Sequence, residues 1–461
     1  MDDPDRDHAT NAHANTDADA DADTEPSNSP PASDEQPNQQ QLGAPAIHLI
    51  AENAIRRPSQ DGAKPAKSSS PRDFYTSAQW TADGTSLVVS SSRNSISTFV
   101  LPSDLLDPSL RPRSIDQHST IVLPEATQTI VPAPFFCLAE PASQTVLLGC
   151  RDHPIQLSNL FPHHDSLATP LATYKLIRHE TEEYITPSSM LWERPGTHFI
   201  CGSVNRLDYF DMSRHGSDGP LLTIPTIPSK RHIAKGSGVG MKGTVSALSA
   251  SPMDANGGSI IAAGTWTRWL GLYDLHRTDK IVANWAVSNA DEIDGAVEIG
   301  GQGIVQVCWS PCGRYLVVNE RQSTGLLVYD IRGSGKLLSV LTGRDATTQQ
   351  KLTCDVFKGE QYADSTFFEV WAGTRDGSVV VWEDVGSSVG PVDPSWDWNA
   401  HESPVGSTVV HSSGSVAATC SGGWGATSIR GIDDDSGTMR PVPVAQNVFD
   451  ESGLKVWSIG G

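Results

Sequence analysis

The chemistry open to this 461-residue chain lies mainly in arginines that stand at one recurring position. Seven short apolar runs recur along it, and six are followed within about six residues by an arginine: Arg93, Arg151, Arg206, Arg268, Arg321 and Arg375. A guanidinium is a planar, permanently charged fork of donors that fits phosphate oxygens, carboxylates and base edges. A second basic cluster, Lys230, Arg231, His232, Lys235 and Lys242, lies between the third and fourth runs. Trp266 and Trp269 flank Arg268; one is expected in the core and the other as a platform for a stacked base. Clustered arginine with an exposed aromatic points to RNA or another anion. The competing reading of each arginine is structural, with the charge paired to an acid of a neighbouring repeat.

Catalytic patterns are weak by comparison. There is no H-E-x-x-H and no C-x-x-C pair. The segment Lys235-Gly-Ser-Gly-Val-Gly-Met-Lys242 resembles a phosphate loop, but Met241 breaks the spacing and the segment lies between strands, with no helix N-terminus behind it. The seven cysteines are odd in number and widely spaced, so no disulfide framework is expected. Cys308-Trp-Ser-Pro-Cys312 has no second ligand pair beside it, which argues against zinc. The expectation is a non-enzymatic chain with no catalytic residue, metal or cofactor.

The elements that would position the arginines follow from the repeat. The runs are Leu87-Val88-Val89, Val146-Leu147-Leu148, Phe199-Ile200-Cys201, Ile260-Ile261-Ala262, Leu316-Val317-Val318, Val370-Trp371-Ala372 and Val416-Ala417-Ala418. A turn precedes each, as in Trp80-Thr-Ala-Asp-Gly84 and Trp309-Ser-Pro-Cys-Gly313, and a further strand follows, several ending as Tyr273-Asp274, Tyr329-Asp330 or Trp382-Glu383. The period is roughly 55 residues, longer than the usual WD40 blade but with the same order of signals. The predicted fold is all-β, a seven-bladed WD40 propeller over 73–461, with a long loop at 422–452 in blade seven. The chain ends after the third strand of that blade, so Ala46-Ile47-His48-Leu49-Ile50 is assigned as the fourth, closing the ring. In such a propeller the six arginines share one face.

The net charge is −21, which excludes a basic nucleic-acid coat. Residues 1–45 hold eleven acids and one base among Asp, Ala, Asn, Gln and Pro, so they are expected to form a disordered acidic tail. Residues 46–72 carry the closing strand and a linker with Arg56, Arg57, Lys64, Lys67 and Arg72, a candidate nuclear import signal. No apolar run is long enough to cross a bilayer, and the N-terminus has no secretory pattern.

Particular segments go beyond a generic blade. Ala78-Gln-Trp-Thr-Ala-Asp-Gly84, Arg151-Asp-His-Pro-Ile155, Glu183-Tyr-Ile-Thr-Pro-Ser188, Phe199-Ile-Cys-Gly202, Arg268-Trp-Leu-Gly-Leu-Tyr273 and Gly343-Arg-Asp-Ala-Thr-Thr-Gln349 are similar to the telomerase Cajal body protein family, which includes fungal WD-repeat relatives tied to pre-mRNA splicing. The likeness runs over 73–460. It implies a nuclear, monomeric propeller within a larger complex, whose partners are small nuclear or related non-coding RNA and RNP or splicing proteins. By the same likeness Arg151, Arg206, Arg268, Arg344 and Arg321 would contact RNA. The chain departs from the family at Gln156-Leu157-Ser158-Asn159, where an aromatic-Asp ending is usual, and in blades four to seven, where no Gly-His-like loop end is read. These departures favour a fungal-type splicing or small-nuclear-RNP role over the animal RNA motifs. The alternative is a WD40 protein–protein adaptor with no direct RNA binding.

Overall fold

The computed structural model describes residues 44–54, 73–162, 169–178, 180–216, 218–227, 240–287, 298–333, 335–359, 366–426, 446–448 and 451–460. The expectations for the acidic tail, the basic linker and Lys235 fall outside the described residues. Seven antiparallel sheets surround a central channel and form a seven-bladed propeller. The innermost strands are Tyr75–Trp80, Thr127–Pro132, Ser189–Trp192, Val245–Ala250, Ile304–Trp309, Cys354–Phe357 and Val405–Val410. In blades one to six the strands then follow outward in chain order. Gly390–Val392, from the last connection of blade six, adds in parallel to the outer strand of blade five.

The sequence runs are the second strands. Each is sandwiched between neighbouring blades, so both of its faces are buried and it reads as a continuous apolar stretch, not an alternating one. Thr145–Cys150, Tyr315–Glu320, Phe368–Gly373 and Val416–Ser421 are buried at every position. The innermost strands are mixed in character, because one side faces channel water and the other the blade.

Side chains of the innermost strands link blade to blade around the channel. Gln79 donates to Ile130 O (3.0 Å), Ser189 to Val245 O (2.8 Å), Ser246 to Ile304 O (2.5 Å), Gln306 to Cys354 O (2.8 Å) and Ser407 to Ala78 O (3.2 Å). The Val410 amide donates to the Asp355 carboxylate at 2.7 Å, joining blade seven to blade six. The tryptophans that open the turns reach backward. The Trp80 indole donates to Val409 O (3.3 Å) and the Trp309 indole to Ser249 O (3.2 Å). Polar groups that would be costly to bury unbonded thereby become the joints of the ring.

Blade seven is assembled from both ends of the propeller sequence. Ala46–Ala54 pairs antiparallel with Gly453–Gly460, from Ala46 opposite Gly460 to Ala54 opposite Gly453, with an irregularity between Leu49 and Ala51. Arg113–Ser114 then lies parallel on its outer edge.

Blade seven has no Gly-His loop end, as read from the sequence, but a buried histidine follows Ala400. His401 is buried, with Nε2 2.8 Å from the Thr419 hydroxyl, and the Trp457 indole donates to the same oxygen at 2.8 Å. His401 Nδ1 lies 3.4 Å from Glu451 Oε1, and the Lys455 ammonium donates to that oxygen at 2.7 Å.

This cluster sets a pH dependence. Burial pushes His401 below its ordinary 6.5, while its neighbours hold Glu451 at about 2, below the ordinary 4.5. Both contributions are complete above the ordinary values and fade as the pH falls toward the folded-state values. Asp355 runs the other way: burial raises it from 3.8 to about 6, so its contribution is complete in acid and is lost as the pH rises through about 6. Glu451→Gln is therefore expected to be less stable than wild type near pH 7, with the gap narrowing as the pH falls below about 4.5. Urea unfolding of the two proteins across a pH series measures that gap.

Candidate nucleic-acid interface

The turns between second and third strands are tight, and several use a left-handed residue: Asn94, Asp152, Asn205, Arg268 and Gln322 all have φ between 56° and 64°, and Gly377 has φ of 101°. Asn and Asp tolerate this conformation better than most side chains, and Gly does so without strain. Backbone bonds fasten these turns to the chain entering an innermost strand: Ser92 N to Phe74 O, Arg151 N to Ala126 O, Trp266 N to Thr244 O and Arg321 N to Gly303 O. Turns and entering segments consequently share one face around the channel mouth.

On that face the arginines have different fates. Arg206 makes a two-point ion pair with Asp208, which is fully buried. Arg268 grips Glu320 of the next blade through Nε (2.7 Å) and Nη2 (2.8 Å). Arg375 lies 3.2 Å from Asp345, and Arg151 lies 3.5 Å from its neighbour Asp152, with both arginines exposed. Arg93 is exposed, and its backbone amide donates to Asp73.

Arg344 departs from its sequence assignment. Its side chain is within the protein, 1% exposed, and donates to Gly373 O (3.0 Å), Asn319 Oδ1 (2.8 Å) and Leu352 O (3.0 Å). Burial lowers its pKa to about 10. It ties blade five to blade six and presents no donor to a ligand on the surface.

A cationic–aromatic sector remains between blades four and six. The guanidinium of Arg321 lies 5.6 Å from the centre of the Trp266 ring, a cation–π arrangement. Trp266 is 54% exposed, whereas Trp269 packs into the apolar cluster of blades three and four. The platform of the two is thus Trp266. Beneath it Gly303 has φ of 114°, and a Cβ there would come within 2.6 Å of Trp266 O. The Trp266 turn and the Arg321 turn therefore rest on the same glycine, which fixes their separation. Lys242 is exposed beside them, its carbonyl accepting from Thr267. Lys351, exposed at the channel mouth, completes the sector. Among the described residues no ion pair involves Arg321, Lys242 or Lys351.

The channel itself encloses about 970 Å³, lined at this end by Ser90, Ser92, Thr348 and Gln350 among others. Trp424 borders it, edge-on to Phe74 with ring centres 5.5 Å apart. It begins a two-stranded ribbon, Trp424–Ala426 with Gln446–Val448, that rises from the long insertion of blade seven. Sequence reasoning singles out neither Lys351 nor Trp424, because each becomes significant only when blades distant in sequence meet.

The chain does contain one nucleophile-elbow spacing, Gly386-Ser-Ser-Val-Gly390, which pattern reading overlooks. It forms a turn after Ser378–Val385 in which Ser387 bonds Asp384 O and Ser388, with no helix following. Among the described residues no cluster of His, Cys, Asp and Glu is arranged to hold a metal.

No protein-family profile matches the chain. Curated proteins do. It is 24% identical over 401 residues to human telomerase Cajal body protein 1, covering 86% of this chain and 65% of that protein, just under two thirds of its length. It is 25% identical over 316 residues to Guanine nucleotide-binding protein negative regulator 1 of Schizosaccharomyces pombe, covering 68% and 71%. It is 24% identical over 327 residues to Protein SWT21 of Vanderwaltozyma polyspora, covering 68% and 67%. The chain is a seven-bladed propeller similar in sequence to these proteins. The segments that carry the likeness to telomerase Cajal body protein have separate roles in the fold. Arg268-Trp-Leu-Gly-Leu-Tyr273 runs from an interface turn into the third strand of blade four, and Gly343–Gln349 brackets the buried Arg344.

Proposed function

We propose that this chain is a nuclear WD40 scaffold that binds single-stranded segments of small non-coding RNA, or of small nuclear RNPs, and supports pre-mRNA splicing or RNP biogenesis. The observation that carries the reading is the Trp266–Arg321 pair, an exposed indole beside a cation, with Lys242 and Lys351 at its sides. A base stacks on the indole while the cations neutralise phosphates on either side. Arg93 and Arg151 extend this cationic rim, and Lys235, outside the described residues, is proposed with them from the sequence alone. Arg206, Arg268 and Arg375 are engaged by their carboxylate partners and contribute less. Arg344 has a structural part alone. Names among the relatives that include the Cajal body support the nuclear setting.

The propeller should bind a short single-stranded RNA with an affinity that falls steeply as salt is raised, since several phosphates release counterions. Trp266→Ala should weaken binding roughly tenfold, because stacking of one base is worth about 1–3 kcal/mol. Filter binding at several salt concentrations reads both effects. Binding that is flat in salt and indifferent to Trp266→Ala would overturn the assignment.

One observation favours a second reading. Four of the arginines already lie beside acids, and one relative is named as a negative regulator of a guanine nucleotide-binding protein. A protein–protein adaptor would use the same sector to hold an acidic peptide. In that case Arg321→Glu would abolish partner capture from an extract while RNA binding stays absent throughout.

A further inference from the structure

A chain of contacts runs round the channel rim from Trp266 to the start of the blade-seven insertion. Gly303 joins the Trp266 turn to the Arg321 turn, since its carbonyl accepts from Arg321 N at 3.0 Å. Asn319, near the end of the second strand of blade five, donates through Nδ2 to Leu352 O at 2.8 Å. That bond ties the Arg321 turn to the segment holding Lys351. Gln350, next to Lys351, donates to Gly422 O at 2.9 Å, two residues before Trp424. Gly422 N in turn donates to Pro404 O at 3.1 Å, the bond between turn and entering segment that other blades also make. Trp424 therefore stands on the interface face.

Trp424 is firmly mounted and left open. Gly422 has φ of 136°, and a Cβ there would come within 2.5 Å of Phe74 Cβ, so only glycine lets the insertion start this close to blade one. Phe74 and the indole meet edge-on, yet Trp424 stays 47% exposed. Phe74 N donates to Ser92 Oγ at 3.2 Å, which sets the Arg93 turn beside this aromatic pair. Around it the channel mouth presents uncharged hydroxyls and amides, among them Ser92, Thr348 and Gln350. An indole fixed at the surface beside neutral hydrogen-bonding groups suits a flat, polar-edged ligand.

We propose that Trp424 is a second base-stacking platform, so that one RNA strand follows the rim from Trp266 past Arg321 and Lys351 to Trp424. The inference rests on the RNA reading of the Trp266 sector and extends it from one base to a strand of several nucleotides. The order of side chains is aromatic, cation, cation, aromatic, which matches base, phosphate, phosphate, base along an extended strand. Ser92 and Gln350 offer partners to ribose hydroxyls and base edges at the Trp424 end. An acidic peptide would use the two cations but not an indole at either end.

The test is fluorescence anisotropy of the full chain with labelled oligouridines of increasing length. Wild-type affinity should rise with length until the strand spans both platforms. Trp424→Ala should weaken the longest oligomer roughly tenfold and leave unchanged the shortest one that Trp266→Ala weakens. Trp424→Tyr, which keeps an aromatic face, should retain most of the affinity for the longest oligomer. A part confined to packing on Phe74 would instead lower the melting temperature of Trp424→Ala with no dependence on RNA length. If Trp424→Ala binds the longest oligomer as well as wild type while Trp266→Ala does not, the second platform is lost and the Trp266 reading stands. If no oligomer binds at any length, both are lost.

Discussion

A protein lacking Ala46–Ala54 is expected to melt roughly 10 °C or more below the full chain, or to lose its cooperative transition altogether. The strand pairs along the whole of Gly453–Gly460, buries Ala51 completely and packs Ile47 and Leu49 against Trp371 and Trp457. It also anchors blade one, because Asn53 accepts from the Tyr75 hydroxyl (2.9 Å) and donates to Ile115 O (2.7 Å). Without it the third strand of blade seven becomes a bare edge, and the propeller loses the contact by which its last blade is held to the first. Calorimetry of the truncated and full chains decides the matter. An unchanged melting temperature would mean that the ring is closed by something other than this strand.

The second large effect is expected at Arg344. Arg344→Ala should destabilise the propeller by about 3 kcal/mol, since it takes a charged donor from Gly373 O, Asn319 Oδ1 and Leu352 O inside the protein, and leaves Leu352 O with the Asn319 amide in its place. Arg344→Lys should rescue little of this loss. One ammonium has no planar fork with which to reach Gly373, Asn319 and Leu352 together. Urea unfolding gives the loss directly. RNA affinity per folded molecule should be unchanged in both variants; a folded, stable Arg344→Ala protein that had lost RNA would return Arg344 to the interface.

The seven blades were legible in the sequence for a physical reason. A second strand buried on both faces, such as Thr145–Cys150, must be apolar throughout, and the turn before it must break the run. The positions of the arginines were equally visible, because the turns are local. Their partners were not. Glu320 lies across a blade boundary from Arg268, and its neighbours in sequence carry no sign of the pairing. Arg344 shows the limit of likeness: a segment shared with a family can be shared for packing as readily as for binding. The blade-seven cluster was hidden differently. Ala400, not a glycine, precedes His401, and Glu451 reaches His401 only after a long insertion. Nothing nearby in the chain marks Lys351, which joins Arg321 only when blade six closes on blade five.

The central claim is that the sector around Trp266 and Arg321 meets RNA, and it is tested most directly by ultraviolet crosslinking in cells. Wild-type protein, immunoprecipitated under denaturing conditions, should carry covalently bound small non-coding RNA. A Trp266→Ala, Arg321→Glu protein, expressed and folded to the same level, should carry at least about tenfold less. Equal recovery of RNA from both proteins, or none from either, would contradict it.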